Sequence, residues 1–451
     1  MTEGPKEAPP ATVSERTQQA GETPNPWALR ARWDWVEPAV WTARMLTALE
    51  MGVKGGKWFR LIDKVYARPN LRKAFERVKA NDGAAGVDHV RVEEFERHLE
   101  ANLEKLAQEL RERSYRPQAI RRHWISKLGS KEKRPLGVPT VRDRVVQTAL
   151  RAVLEPIFER DFAAHSYGFR PKRGCKEALR RVDNLRKSGY DWIVDADLKS
   201  YFDTIPHAAL MDRVKEKVAD GRVLGLLQAF LTQKVMETAE GWTPEEGTPQ
   251  GAVISPLLSN IYLDPLDHRL AERGIEMVRY ADDFVVLCRS EAEARAALAE
   301  VQAWTASAGL QLHPTKTRIV DTRQPGGFDF LGYHFERGSR WPRTKSLKKF
   351  KDTVRAKTRR TQGQSLQAII TNLNRTLRGW FEYYKHSHRY TFERLDRWVR
   401  MRLRSILRRR QGRRGRGRGA DHQRWPNAFF AALGLWSLVT AHASACQSSC
   451  R

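Results

Sequence analysis

The most informative stretch of the sequence is Met277-Val278-Arg279-Tyr280-Ala281-Asp282-Asp283-Phe284-Val285-Val286-Leu287-Cys288. Two short apolar segments joined by a tight turn are typical of a β-hairpin, so the pattern predicts that Asp282 and Asp283 lie at a hairpin tip. A second stretch, Trp192-Ile193-Val194-Asp195-Ala196-Asp197, begins as a buried strand and ends in carboxylates. We therefore expect one compact sheet that carries Asp197 beside the hairpin.

This arrangement predicts a metal site. Carboxylates that converge from separate strands repel one another unless a cation lies between them, and their hard oxygen atoms suit Mg²⁺. We predict that Asp197, Asp282 and Asp283 are catalytic and ligate Mg²⁺. The competing interpretation is that aspartate is simply a common turn residue. The second strand that ends in Asp197 favours the metal site.

The flanking segments alternate between helical and extended patterns. Helices are expected over residues 92–113, 141–158 and 175–187, with a turn at 81–83. A mixture of this kind around a small sheet is typical of the α+β class.

Charge indicates the kind of partner. The 451 residues include 81 Lys or Arg and 53 Asp or Glu, a net charge of +28, and 41% of the residues are hydrophobic. This composition excludes wholesale disorder and favours a polyanion such as nucleic acid. Residues 341–420 hold 25 Lys or Arg against four acids, so +21 of the total lies in this one segment.

Two apolar stripes at helical spacing run through this basic segment. The first follows Leu366, Ile369, Ile370, Leu373, Leu377, Phe381 and Tyr384, and the second follows Leu395, Trp398, Val399, Leu403, Ile406 and Leu407. Arg375 and Arg378 lie off the first stripe, and we predict that they contact nucleic acid. The alternative is an ordinary solvated face. Residues 411–419 are rich in Gly and Arg and are expected to form a flexible linker.

The two ends and the cysteines exclude other classes. Residues 1–26 have no apolar core of a signal peptide, and we expect residues 1–44 to form a flexible leader with an N-terminal extension. Polar residues dilute the stretch 427–445 below an ordinary membrane span, so no membrane partner is expected. The four cysteines are too scattered for a disulfide framework or a zinc site with ligands close in sequence.

Several motifs resemble one known family. Tyr280-Ala281-Asp282-Asp283, with Asp197 and Phe202, resembles the metal-binding motifs of reverse transcriptases. Further blocks follow in order: Asn81-Asp82-Gly83-Ala84-Ala85-Gly86-Val87-Asp88, Lys133-Arg134-Pro135-Leu136-Gly137-Val138-Pro139-Thr140, Tyr167-Gly168-Phe169-Arg170-Pro171, Gly247-Thr248-Pro249-Gln250-Gly251, Leu312-His313-Pro314-Thr315-Lys316-Thr317, Phe330-Leu331-Gly332-Tyr333 and Asn374-Arg375-Thr376-Leu377-Arg378-Gly379-Trp380-Phe381. Together, over residues 45–445, they resemble the bacterial group II intron reverse transcriptase/maturases that lack an endonuclease.

The resemblance implies an α+β right-hand polymerase, with fingers and palm over 45–335, an all-α thumb/maturase domain over 336–410, and a linker and short tail over 411–451. It implies a nucleotidyltransferase, an RNA-directed DNA polymerase, that uses two Mg²⁺ ions held by the three aspartates. It assigns the nucleotide to Phe202, Gln250, Lys127, Lys133 and Arg134, and nucleic-acid contacts to Arg170 and Lys316. Phe202 would exclude a 2′-hydroxyl; its alternative role is a core aromatic.

The implied partners are group II intron RNA, an RNA template with a DNA primer, target DNA and deoxynucleoside triphosphates, in a bacterial cytoplasm and on the nucleoid when target DNA is bound. Cys446 and Cys450 lack the accompanying residues of an endonuclease site, so second-strand cleavage is not expected. The tail either assists DNA binding or packs on the thumb helices. Three alternatives remain open: an RNA-binding splicing cofactor without polymerase activity, a domesticated reverse transcriptase serving defence or diversity generation, and a non-enzymatic scaffold.

Overall fold

The computed structural model describes residues 25–53, 55–126, 133–237 and 240–449. The helices are α1 (Pro26–Arg32), α2 (Ala43–Met51), α3 (Ile62–Tyr66), α4 (Arg68–Asn81), α5 (Val92–Arg97), α6 (Leu99–Glu112), α7 (Val141–Glu159), α8 (Cys175–Lys187), α9 (Tyr201–Thr204), α10 (His207–Lys215), α11 (Gly221–Leu231), α12 (Ser255–Glu272), α13 (Glu291–Ser307), α14 (Thr344–Lys357), α15 (Leu366–Tyr384), α16 (Tyr390–Arg410), α17 (Ala420–Arg424), α18 (Asn427–Ala432) and α19 (Leu438–Ser449). The strands are β1 (Ile120–Ser126), β2 (Lys133–Val138), β3 (Trp192–Asp197), β4 (Val235–Glu237), β5 (Glu240–Trp242), β6 (Glu276–Tyr280), β7 (Asp283–Cys288), β8 (Arg318–Asp321), β9 (Phe328–Phe330), β10 (Tyr333–Glu336) and β11 (Ser339–Pro342).

The predicted palm is a four-stranded antiparallel sheet in the order β6-β7-β3-β8. Successive side chains along each strand point to opposite faces of this sheet, and both faces are buried. Val194, Phe284 and Val286 enter the main core with helices α12 and α13, whereas Ile193 and Val285 pack on the opposite side. Both faces are covered, so the sheet is a rigid support for side chains at its edge.

The predicted fingers combine a second sheet with a bundle of helices. This sheet has the order β2-β1-β4-β5: the edge strand β2 pairs antiparallel with β1, and the central pair β1-β4 is parallel. Helix α7 packs against α3 and α4 and is buried along most of its length. Thr140 begins α7 by accepting the backbone N–H of Asp143 at 3.3 Å, which is an ordinary N-cap.

The predicted N-terminal extension is folded onto the rest of the chain. Residues 27–44 follow the predicted leader, and Trp33 and Trp41 within them are buried in the main core. The Trp41 indole N–H donates to the carbonyl oxygen of Ala152 in α7 at 3.0 Å. Large aromatic side chains at 33, 35 and 41 provide apolar area that holds this segment onto the fingers. Residues 1–24 lie outside the described residues.

A small sheet joins the palm to the helices that follow. Strands β9, β10 and β11 form an antiparallel meander that packs with α8 against the palm sheet. From this meander, the guanidinium of Arg340 pairs with Asp183 of α8 at 2.7 Å and donates to the carbonyl of His386 at 2.9 Å. The thumb is therefore tied to the palm through Arg340.

The basic segment folds into the predicted helical thumb. Helices α14, α15 and α16 have their own hydrophobic core, which is separate from that of the palm. The tail packs on these helices, since Phe430 and Leu438 are fully buried in the same core. Asp396 of α16 also accepts the backbone N–H groups of Leu438 at 3.1 Å and Val439 at 3.2 Å at the start of α19. Of the two expectations for the tail, the structure shows packing on the thumb.

No helix within the described ranges has the length and apolar character needed to cross a membrane.

Candidate active site

The three predicted aspartates meet at one edge of the palm sheet. Strand β3 ends at Asp197, β7 begins at Asp283, and these two residues are register partners across the β3-β7 ladder. Strand β6 pairs with β7 through Tyr280 and Asp283, so Ala281 and Asp282 form the two-residue turn between them. The prediction of a hairpin with its aspartates beside Asp197 is confirmed as geometry.

The turn itself is strained. Ala281 has φ = +60°, in the left-handed region that costs an L-residue about 1 kcal/mol or more. Such a conformation persists only when the surrounding structure imposes it. Here the backbone of residue 168 lies directly against the turn: a Cβ on Gly168 would stand 2.1 Å from the Ala281 nitrogen. Only glycine fits at this position, which gives a physical reason for the glycine of the Tyr167-Gly168-Phe169-Arg170-Pro171 motif.

The donor set suits a hard divalent cation, but its side chains are not gathered around one point. The Asp197 carboxylate accepts a hydrogen bond from Lys316 Nζ at 2.5 Å, at the exposed edge of the sheet. Across the part of the chain that the structure describes, no group of three or more His, Cys, Asp or Glu side chains is arranged to hold a metal ion. Carboxylate oxygens from Asp197, Asp282 and Asp283 fit Mg²⁺ by their chemistry, and binding would require Asp197 to turn from Lys316.

Charge repulsion supports the same assignment. Asp283 is exposed as a residue, yet desolvation by the surrounding protein, followed by the charges of Asp282, Asp195 and Asp197, raises its pKa to about 7. A carboxylate with so high a pKa is poorly compensated by cations of the protein itself. Binding of a cation next to Asp283 at this edge of the sheet would therefore be favourable.

Replacing Asp283 by asparagine is expected to raise the melting temperature, and to do so most strongly above pH 7. The folded pKa of about 7 exceeds the unfolded value of about 3.9, so the native state binds more protons in between. Stability contributed by this group therefore falls as the pH rises from about 4 to 7. Asparagine removes the loss, so the gain in melting temperature shrinks from pH 8 towards pH 4.

Melting curves across this pH range measure the effect. Asp212→Asn is the matched control, because Asp212 is an exposed acid that pairs with Lys215 at 2.9 Å. A gain for Asp283→Asn that is the same at every pH would contradict repulsion among the carboxylates.

A cleft between the fingers sheet and the loop 244–250 is lined by two of the residues assigned to the nucleotide. It measures about 170 Å³ and is lined by Phe202 and Gln250 together with fingers residues such as Gly137. The Gly137 N–H donates to the Gln250 carbonyl at 2.6 Å, and the Thr248 N–H donates to the Phe202 carbonyl at 2.6 Å. The loop 247–251 thus lies between fingers and palm, and Phe202 sits at the wall of the cleft with only 7% of its surface exposed.

The basic residues assigned to the nucleotide are less fully described. Lys133 is exposed at the start of β2. Lys127 lies outside the described residues, and for Arg134 only the backbone is described. Their assignment to the triphosphate stays a prediction.

Arg170 needs a correction. Its guanidinium is buried, forms a forked ion pair with Glu159 at 2.7–3.0 Å, and also donates to the carbonyl of Ser166 at 2.9 Å. A side chain committed to internal partners is not presented to a nucleic-acid backbone. The structure therefore argues against the predicted contact and gives Arg170 a structural role in the segment that supports the hairpin turn.

The thumb arginines lie where they were predicted. Arg375 and Arg378 are exposed on α15, opposite its buried residues Leu373 and Leu377. The Arg378 guanidinium stands 5.9 Å from the ring centroid of Trp436 in the tail.

Sequence reasoning missed the residues beneath the turn. Arg279 and Asp267 are fully buried and form a bidentate ion pair whose Nε–Oδ1 distance is 2.7 Å. The available signal was the charge at Arg279 directly after the apolar residues Met277 and Val278 of β6, because a charge buried among apolar side chains needs a partner. No local pattern identifies that partner, because Asp267 lies on a helix twelve residues earlier.

Parts of this chain are similar to known protein families and to individual proteins. Residues 125–335 match the family "Reverse transcriptase (RNA-dependent DNA polymerase)", and residues 347–425 match "Group II intron, maturase-specific domain". Protein YkfC of Escherichia coli (strain K12) is 35% identical over 291 residues, which cover 56% of this chain and 76% of YkfC. Group II intron-encoded protein LtrA of Lactococcus lactis subsp. cremoris is 40% identical over 168 residues, which cover 37% of this chain and 28% of LtrA. A telomerase structure from Candida albicans aligns over 71% of this chain and 64% of that chain, with 13% identity and a TM-score of 0.39.

Proposed function

We propose a function on the basis that this chain belongs to the family of group II intron reverse transcriptases and maturases. The proposed function is that of an RNA-directed DNA polymerase that binds group II intron RNA and assists its splicing and mobility. The observation that carries the proposal is the convergence of Asp197, Asp282 and Asp283 at one edge of the palm sheet, in a chain that also has a basic maturase thumb. Splicing chemistry would belong to the RNA, and the protein would contribute by binding its folded state.

The aspartates supply the reaction centre. Two Mg²⁺ ions held by Asp197, Asp282 and Asp283 would lower the pKa of a primer 3′-hydroxyl and stabilise charge on the triphosphate. The chain's own part is to fix the three carboxylates on rigid strands and to exchange the Lys316–Asp197 ion pair for the bound form. The Lys316 ammonium, which pairs with Asp197 in this structure, would then be available to a phosphate group.

The cleft lined by Phe202 and Gln250 is assigned to nucleotide selection. We assign the incoming deoxynucleotide to the space between Phe202 and Gln250. The Phe202 ring packs edge-to-face on Tyr201 with centroids 5.5 Å apart, and in this position it would clash with a 2′-hydroxyl. Lys127, Lys133 and Arg134 are assigned to the triphosphate.

The thumb supplies RNA binding. Structured RNA is recognised mainly through its shape, phosphates and 2′-hydroxyls, and exposed arginines on helices suit that mode of recognition. The proposed partners are intron RNA, an RNA template with a DNA primer, and target DNA, and the proposed setting is the bacterial cytoplasm and nucleoid.

Replacing Arg375 and Arg378 together by alanine is expected to weaken binding of structured RNA and to flatten its salt dependence. Each lost phosphate contact reduces the slope of log affinity against log salt by about 0.7 to 0.9, so the pair should change it by about 1.5. Filter binding or fluorescence anisotropy from 50 to 300 mM salt measures the slope. Arg295→Ala, on the palm helix α13, is the control, since Arg295 is exposed and pairs with Glu291. An unchanged slope in the double variant would make both arginines ordinary surface charges.

The direct test of the proposed activity is primer extension on an RNA template with Mg²⁺ and deoxynucleotides. DNA synthesis by the unmutated chain supports the polymerase. Tight RNA binding without any DNA synthesis would instead favour a splicing cofactor that lacks polymerase activity.

A further inference from the structure

A buried polar network lies directly beneath the hairpin turn, and no step of the proposed chemistry uses it. Arg279 and Asp267 have no exposed surface, and Asn260 has 1%. Arg279 belongs to strand β6, whereas Asn260 and Asp267 belong to helix α12. The network therefore connects the hairpin to the helix that packs behind it.

The contacts of this network end on the turn itself. Arg279 Nη1 donates to the Ala281 carbonyl at 2.9 Å and to Asn260 Oδ1 at 2.9 Å. Asn260 Nδ2 donates to the Gly168 carbonyl at 2.8 Å. Gly168 in turn lies against the Ala281 nitrogen. The strained residue is thus held from both sides, through its carbonyl oxygen and through its nitrogen.

A buried ion pair is a poor way to stabilise a fold, because apolar side chains of similar volume usually serve as well or better. Its presence at this point calls for a role that geometry explains. The Ala281 carbonyl belongs to the peptide that leads into Asp282, so fixing that peptide fixes the direction from which Asp282 and Asp283 leave the turn. Carboxylates that share metal ions must be placed to within a fraction of an ångström.

We propose that Arg279 and Asn260 are positioning residues that set the orientation of the Asp282 and Asp283 carboxylates for Mg²⁺ through the Ala281 peptide and the Gly168 backbone. The inference rests on the proposed polymerase function and adds residues that act through the turn. Asp267 anchors Arg279 through its bidentate pair. None of the three reaches the reacting atoms.

Asn260→Ala tests the proposal, with Asn70→Ala as the matched control. Asn70 is also a buried asparagine (1% exposed) whose Nδ2 bridges two carbonyl oxygens, those of Lys64 at 2.9 Å and Ala149 at 3.1 Å, but it lies in the fingers. Both variants lose a buried amide of the same kind, so a general loss of stability is common to them. Asn260→Asp, which keeps the volume and the acceptor for Arg279 and loses the donor to Gly168, is the second variant if Asn260→Ala does not fold.

Two readouts are measured on the full chain. The first is primer extension on an RNA template, which gives kcat, KM for the deoxynucleotide and the half-saturating Mg²⁺ concentration. The second needs no turnover: the rise in melting temperature that Mg²⁺ causes when the chain is bound to a chain-terminated primer on its template with the next deoxynucleotide. Residues that orient metal ligands typically change metal affinity or activity about 10- to 100-fold when removed.

For Asn260→Ala we expect kcat to fall about 10- to 100-fold, KM for the deoxynucleotide to stay within about twofold, and the Mg²⁺-dependent shift to shrink. Asn70→Ala should keep the kcat and the Mg²⁺-dependent shift of the unmutated chain. Equal Mg²⁺-dependent shifts in the two variants overturn the positioning role, whether or not DNA is made. If the unmutated chain makes no DNA but only Asn260→Ala loses the shift, the proposed function fails and the positioning role stands.

Discussion

Replacing Asp282 and Asp283 together by alanine is expected to lower the rate of DNA synthesis by about 10³-fold or more. The affinity for RNA should stay within about twofold of that of the unmutated chain. Metal ions held by these aspartates would contribute several kcal/mol of charge stabilisation in the transition state, and each 1.4 kcal/mol corresponds to a factor of ten in rate. RNA binding is assigned to the thumb, whose hydrophobic core is separate from that of the palm. The same assay pair, primer extension and RNA binding, measures both activities.

The double variant should remain folded. Desolvation of the Asp283 carboxylate, followed by repulsion from neighbouring aspartates, raises its pKa to about 7, so removing both carboxylates removes an unfavourable charge from the folded state. The melting temperature above pH 7 should therefore be equal to or higher than that of the unmutated chain.

The control is Asp212→Ala with Asp352→Ala, which removes two exposed acids from i,i+3 ion pairs with Lys215 and Arg355. DNA synthesis retained by a folded Asp282/Asp283 variant would contradict the metal assignment. An equal loss of DNA synthesis and RNA binding would contradict the separation of palm and thumb roles.

The sequence predicted where the three aspartates lie because its signals are local. Residues 277–288 alone predict a hairpin with apolar strands and an aspartate pair at its turn. Residues 192–197 alone predict a strand that ends at Asp197. The thumb helices α15 and α16 were equally legible, since their apolar stripes have the helical period and their buried residues follow it. In both cases the pattern that identifies the element is contained within it.

Long-range partnership explains what the sequence did not provide. Arg170 reads as a surface cation in a motif, but its environment is set by Glu159 and by the carbonyls of a neighbouring loop. Trp41 follows a proline-containing N-terminal segment that has the composition of a leader. The hydrogen-bond partner of its indole is a carbonyl more than a hundred residues later in the chain. Arg279 pairs with an acid on another element. A charge or aromatic acquires its role from the fold, and composition alone does not reveal it.

Replacing Gly168 by alanine is expected to reduce DNA synthesis about 100-fold or more and to lower the melting temperature. An added Cβ would stand 2.1 Å from the Ala281 nitrogen, 2.7 Å from the Tyr280 carbonyl carbon and 2.9 Å from the Ala281 Cα. All three atoms are backbone, so no side-chain rotation relieves the overlap. The hairpin turn or the 165–170 segment must shift, and a displacement near 1 Å at the reacting groups is enough for a 10²-fold loss. Overpacking of this kind costs about 1 to 3 kcal/mol of stability, or more where only backbone can move.

Gly225→Ala is the matched control, because a Cβ at Gly225 in helix α11 meets nothing within 4 Å. Alanine there should stabilise the chain by up to about 1 kcal/mol through its higher helix propensity. RNA binding separates a local effect of Gly168→Ala from general unfolding, since the thumb core does not include the turn. A Gly168→Ala variant that binds RNA normally but makes no DNA places the damage at the turn, as the backbone contact predicts. Normal DNA synthesis would contradict that contact, and with it the physical reason given for glycine at position 168.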